Sequence, residues 1–243
     1  MRANSYCRYI LLFCACTCLA FCGFIGCQNL ITEEGKSTES SKEVALYFSL
    51  NLNPGIYKQT KYKKPPQFAI WIEDAEGTKI QTIWVTEKTG TGNWGGKITR
   101  PVSLPYWVSR WKKETRSSSF PTPENPVVDG VTGATPREHF TSEIKVPINS
   151  TWNYYIEINV SGDYNDTFAT VLKDERRDQH GNGQPSIIYK GQITAIPGQR
   201  SVPQLIGRTD QIESVSHIIP DLEGISMAKN LLSKIEVTSK SFD

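Results

Sequence analysis

Two stretches of the chain alternate apolar and polar positions with period two. Val44, Leu46, Phe48, Leu50 and Leu52 form one apolar row; Trp152, Tyr154, Ile156, Ile158 and Val160 form another. Successive strand side chains point to opposite faces, so each row predicts a strand with one side on a core and one side wet. Phe68-Ala69-Ile70-Trp71-Ile72 is apolar throughout and predicts a central strand. It runs into Glu73-Asp74-Ala75-Glu76-Gly77, read as a solvated turn, and then into a hairpin partner over 78–86. Further strands are expected over 140–146, 186–194 and 235–239, with Pro147 to Ser150 as a turn before the Trp152 row.

The stretch between the hairpin and residue 140 has a different pattern. Thr89 to Gly96 (TGTGNWGG) reads as loop. Leu104 to Thr115 carries Trp107, Val108 and Trp111 on one helical face, and 116–128 is rich in Ser and Pro and reads as extended. A second short helix is expected over 225–233. No βαβ order is present. Many short strands separated by turn signals predict a mainly β protein, an immunoglobulin-like antiparallel β-sandwich with a long irregular and partly helical insert.

The N-terminus follows another logic. All six cysteines lie in the first 27 residues. Arg2 and Arg8 give a basic start, Tyr9 to Ile25 is apolar and uncharged, and Gly26 is a small residue before Cys27, which together make an export signal. The run Phe24-Ile25-Gly26-Cys27 resembles the lipobox of bacterial lipoproteins, with Phe24 where Leu is usual. That resemblance implies acylation of the Cys27 thiol and cleavage before it. A plain cleaved signal and a retained signal anchor are the alternatives; the apolar run falls short of the roughly 20 residues that span a bilayer. After cleavage before Cys27 the chain keeps one cysteine, itself modified, which excludes disulfides, thiolate catalysis and Cys-based metal sites. The expected organisation is a signal over 1–26, a flexible polar tether over 27–43, a sandwich over 44–172, and a C-terminal part over 173–243 belonging to the same sandwich or to a small appended unit.

Composition adds two constraints. A net charge of +2 argues against nucleic acid or another polyanion as partner. His139, His180 and His217 share no ligand spacing, and no dinucleotide, P-loop, GxSxG or HExxH pattern occurs. Asp178, His180 and Asn182 match the first half of a calcium loop, but Tyr189 stands where its closing carboxylate belongs, so a polar turn is the reading taken.

The most pointed local sequence is Asp129-Gly130-Val131-Thr132-Gly133-Ala134-Thr135-Pro136. Glycines and small side chains let a bulky group approach the backbone; equally, Asp129 can form an Asx-turn with the glycines at positive φ. Asp-x-x-Thr-Gly-Ala-Thr resembles the target sequence of the periplasmic flavin transferase. That resemblance implies FMN joined through its phosphate to Thr135, with Asp129, Thr132, Gly133 and Ala134 as recognition positions. A larger span, roughly Val44 to Val160, resembles the predicted periplasmic family called domain of unknown function 2271. The resemblance rests on Phe68 to Gly77, on Trp107 and Trp111, and on Val128 to Thr135. It implies an exported β-sandwich without an assigned activity, sometimes grouped with flavin-linked membrane electron-transfer proteins. This chain departs from the family after the motif, where a Trp-Asp-Gly turn is missing between Phe140 and Ser150.

Trp94, Trp107 and Trp111 lie in the insert leading to the motif. They serve either as stacking surfaces for a flavin or sugar or, for Trp107 and Trp111, as pins that hold the insert on the sandwich. The expectation is a non-catalytic binding or accessory module of the bacterial cell envelope, held to membrane lipid through Cys27. The alternative is an electron carrier with covalent FMN on Thr135, partnered by envelope redox or membrane proteins.

Overall fold

The computed structural model describes residues 43–96, 100–128 and 131–241. Cys27, the segments expected to be signal and tether up to residue 42, and Asp129 with Gly130 lie outside the described residues.

Two sheets pack face to face. The smaller has strand order β5-β1-β10-β8, with β1 Glu43–Leu52, β5 His139–Pro147, β8 Arg200–Ser201 and β10 Leu232–Ser241. The larger has order β4-β3-β2-β6-β7-β9, with β2 Gln67–Glu73, β3 Ile80–Thr86, β4 Thr132–Gly133, β6 Thr151–Asn159, β7 Ile187–Thr194 and β9 Gln204–Arg208. All neighbours pair antiparallel except β3 and β4, which run parallel through Val85↔Thr132 and Thr86↔Gly133. The C-terminal part supplies β7 and β9 to one sheet and β8 and β10 to the other.

The alternating rows close the first core. Leu46, Phe48 and Leu50 from β1 meet Phe68, Ile70, Ile72, Tyr154, Ile156 and Ile158 from the larger sheet. β2 is buried on both faces because a second core covers the outer side of its sheet. There Ala69, Trp71, Val85, Tyr155 and Ile188 pack against Leu104, Trp107, Val108 and Trp111 of the insert. This explains why one strand reads as continuously apolar and another as alternating.

The insert begins with a short helix, α2 Glu87–Thr91, where a loop was expected, and continues to α3 Pro105–Thr115. Upstream, α1 Pro54–Tyr57 follows β1, with Asn53 Oδ1 accepting from the Gly55 N–H. The helix expected over 225–233 is reduced to a 3₁₀ turn at Ala228–Asn230. Leu232 is taken by β10, which pairs with Leu52, and this ladder overrides the local helical preference. Glu73 is not part of a solvated tip. It closes β2, is buried, and accepts from the Trp71 indole N–H at 2.9 Å.

Candidate functional site

The Thr motif lies on the edge of the larger sheet. The Val85 N–H donates to the Val131 carbonyl at 2.9 Å, and β4 then pairs along β3. Gly90 makes this close approach possible. A Cβ on Gly90 would fall 2.5 Å from Cγ2 of Thr132 and 2.8 Å from Cγ1 of Val85. A Cβ on Gly133 would sit 3.4 Å from the Trp84 indole nitrogen. Thr132 is therefore seated on α2, and Gly133 lies along the Trp84 edge. Beyond them Ala134 is exposed and Thr135 half-buried. Among the described residues the Thr135 hydroxyl has no hydrogen-bond partner. The chain is caught again at Arg137, whose carbonyl accepts from the Tyr57 hydroxyl at 3.4 Å. His139 follows on β5, exposed, with Nδ1 2.7 Å from Asn51 Oδ1.

Trp107 and Trp111 do not face this edge as stacking surfaces. Trp107 is 0% and Trp111 3% exposed, and both rings are used to hold α3 on the sheet. The Trp107 indole N–H donates to Thr82 Oγ1 at 3.2 Å. An i, i+4 pair of indoles on a helix reads equally as a ligand platform or a packing face, and the second core takes both. Trp94 remains partly exposed, with the Arg100 guanidinium 5.1 Å from its ring centre.

Three carboxylates fasten α3, and nothing in the sequence pattern groups them as a set. Glu157 on β6 is fully buried and accepts from the Trp107 N–H at 2.6 Å and the Tyr106 N–H at 3.3 Å. It thus caps the first turn of a helix whose own N-cap position, Leu104, offers no acceptor. Ser186 Oγ also donates to Glu157 and lies 2.7 Å from Thr209 Oγ1. Burial pushes the Glu157 carboxyl up to about 7, against the pull of these donors. Mid-helix, Arg110 Nε pairs with Glu73 Oε1 at 3.3 Å. Near its end, Glu114 accepts from the Thr82 N–H at 2.9 Å and the Thr82 hydroxyl at 2.6 Å. A lone Glu inside the Ile156-Glu157-Ile158 run was the legible signal for the first of these.

The loop over 178–184 is a polar knot. Asp178 accepts from the His180 and Gly183 N–H groups and from the Tyr164 hydroxyl. Asp163, 2% exposed, accepts from the Gln184 N–H at 2.8 Å through Oδ1, while Oδ2 has no partner among the described residues. Burial raises its pKa to about 8, against the pull of the Gln184 N–H. Asn182 donates to the Gln211 carbonyl at 2.8 Å. These groups are committed to the backbone, and among the described residues no three His, Cys, Asp or Glu side chains are placed to hold a metal ion.

Comparison of the chain with protein-family models, with curated proteins and with solved structures returned no match.

Proposed function

We propose that this chain is a lipid-anchored protein of the bacterial cell envelope, a non-catalytic binding or accessory module attached to membrane lipid through Cys27. The observation that carries the reading is the junction between tether and fold. The lipobox-like Phe24-Ile25-Gly26-Cys27 is followed by a polar stretch, and β1 begins at Glu43, where that stretch ends. β1 then enters the interior of the smaller sheet directly, so a tether of this length lifts a folded unit off a bilayer. Two acyl chains or more on Cys27 would hold it there stably. The two face-packed sheets, antiparallel except for the β3–β4 pair, support the immunoglobulin-like reading of the sandwich. Replacing Cys27 by Ser is expected to abolish incorporation of labelled fatty acid into the protein; a Cys27→Ser protein that still takes up the label overturns the anchor.

A second reading is favoured by one observation, the half-buried hydroxyl of Thr135, which has no hydrogen-bond partner among the described residues, on an edge held at both ends. In that reading Thr135 bears FMN through a phosphodiester, and Thr132, Gly133 and Ala134 present it with Asp129. The flavin would supply the electron transfer, and the protein its attachment and orientation. Trp107 and Trp111 are withdrawn from the pocket in this version, because their rings are buried. Thr135→Ala is expected to abolish flavin fluorescence that survives denaturation, and label retained on Thr135→Ala protein removes the assignment.

A further inference from the structure

The net charge is near zero, but the charges are segregated. Between Val44 and Ile72 the chain carries four lysines and no acidic residue. These lysines, 58, 61, 63 and 64, fall in the segment joining α1 to β2, past the Leu52 end of β1 and so at the other end of that strand from Glu43. Arg100 reaches the same place from the insert. None of the ion pairs formed among the described residues uses any of these five cations.

Aromatic rings hold two of them in place. Arg100 lies 5.6 Å from the Tyr62 ring centre and 5.1 Å from that of Trp94. Lys61 Nζ lies 5.7 Å from the Tyr62 centre and 5.8 Å from that of Tyr164. Tyr62 is itself seated in a cradle of glycines. A Cβ on Gly162 would fall 2.5 Å from its ring, and one on Gly181 2.6 Å from its hydroxyl. The backbone is fixed as tightly. The Lys61 N–H donates to the Gly162 carbonyl at 3.1 Å, and the Lys63 N–H to the Thr60 hydroxyl at 3.1 Å. Lys63 takes φ 51°, a left-handed conformation unfavourable for a residue with a side chain. Strain of this kind persists where the surroundings enforce it, and it gathers at ligand sites.

A guanidinium set beside aromatic rings keeps N–H groups for a forked oxyanion, and ammonium groups add point charge beside it. Two such cations, held against aromatic rings beside further lysines and outside the ion pairs formed among the described residues, fit an anion bearing more than one charge. We propose that this end of the sandwich binds a phosphate-bearing chain, with Arg100 gripping one phosphate through its guanidinium edge and Lys61 and Lys63 contacting the next. The proposal names a ligand class for the binding-module reading, on which it rests, and is independent of flavin at Thr135.

Calorimetric titration of the full chain in detergent with inorganic tripolyphosphate tests it, with citrate at matched ionic strength and phosphatidylglycerol vesicles as the other probes. Tripolyphosphate is expected to bind. Arg100→Gln and Lys61→Gln are each expected to weaken it about tenfold without shifting the thermal unfolding midpoint, and Lys112→Gln on α3 to leave it unchanged. Arg100→Lys keeps the charge but not the fork and is expected to fall between wild type and Arg100→Gln. No tripolyphosphate binding, unchanged affinity in both folded Gln variants, equal binding of citrate, or binding of vesicles alone would each overturn the proposal. The mass of the Cys27 peptide from the same preparation reports separately on the anchor, so failure of one is not mistaken for failure of the other.

Discussion

Glu157 is the residue on which the insert depends most. It is the acceptor for two helix N–H groups and a serine hydroxyl, all buried. Glu157→Ala strands these donors and leaves a cavity, and is expected to cost about 3 kcal/mol in a denaturant titration. Its titration has a defined sign. The folded-state value of about 7 lies above the ordinary 4.5, so the native state holds a proton that the unfolded chain has released. The stability this contributes is complete below about pH 4.5 and is lost as pH rises to about 7. Asp163 acts in the same direction, from 3.8 up to about 8. Wild-type protein is therefore expected to lose stability between pH 5 and 7. Glu157→Gln, a neutral mimic of the protonated side chain, is expected to flatten that slope, and Asp163→Asn to remove most of what remains. Stability that rises with pH over this window would contradict both assignments. The lone Glu in an apolar strand marks Glu157 in the sequence, but its role does not show there, because its partners come from distant elements: Tyr106 and Trp107 from 50 or so positions upstream, Ser186 from downstream.

At the level of elements, strands with a clear period were the easiest to read. β1, β2, β5, β6, β7 and β10 lie within a few residues of where the apolar pattern puts them, and α3 lies where its three-residue apolar face does. The two-residue strands β4 and β8 have no pattern to detect, and β9 has Gly207 in its middle. β4 exists because Gly90 leaves room for Thr132. Gly90→Ala would drive a methyl into the Thr132 and Val85 side chains and is expected to push β4 off β3, at a cost of about 1–3 kcal/mol. Faster exchange of the Val85 amide, whose acceptor is the Val131 carbonyl, would register the separation. The helix α3 should behave as a bound cover. Trp107→Ala removes a fully buried indole and its bond to Thr82, and is expected to cost about 3–5 kcal/mol. That a Trp pair on a helix would pack inward rather than present itself was undecidable from spacing, since both outcomes use the same i, i+4 face.

Across the whole molecule, the candidate sites lie at ends and edges. The chain enters the fold at Glu43, the basic aromatic cluster lies past the other end of β1, and the Thr135 edge closes the larger sheet beside α2. Net charge concealed this arrangement because it averages over a distribution that the fold separates. The candidate acceptor Thr135 is legible as a motif, while its place at the sheet edge depends on a strand too short to see. The central claim is attachment to the envelope through Cys27, and it is tested most directly by mass spectrometry of the N-terminal peptide of protein extracted from the host membrane fraction. The expected result is a peptide beginning at Cys27 and carrying a diacylglycerol-type addition. A peptide that begins elsewhere, or an unmodified Cys27 on protein recovered from the soluble fraction, would contradict it.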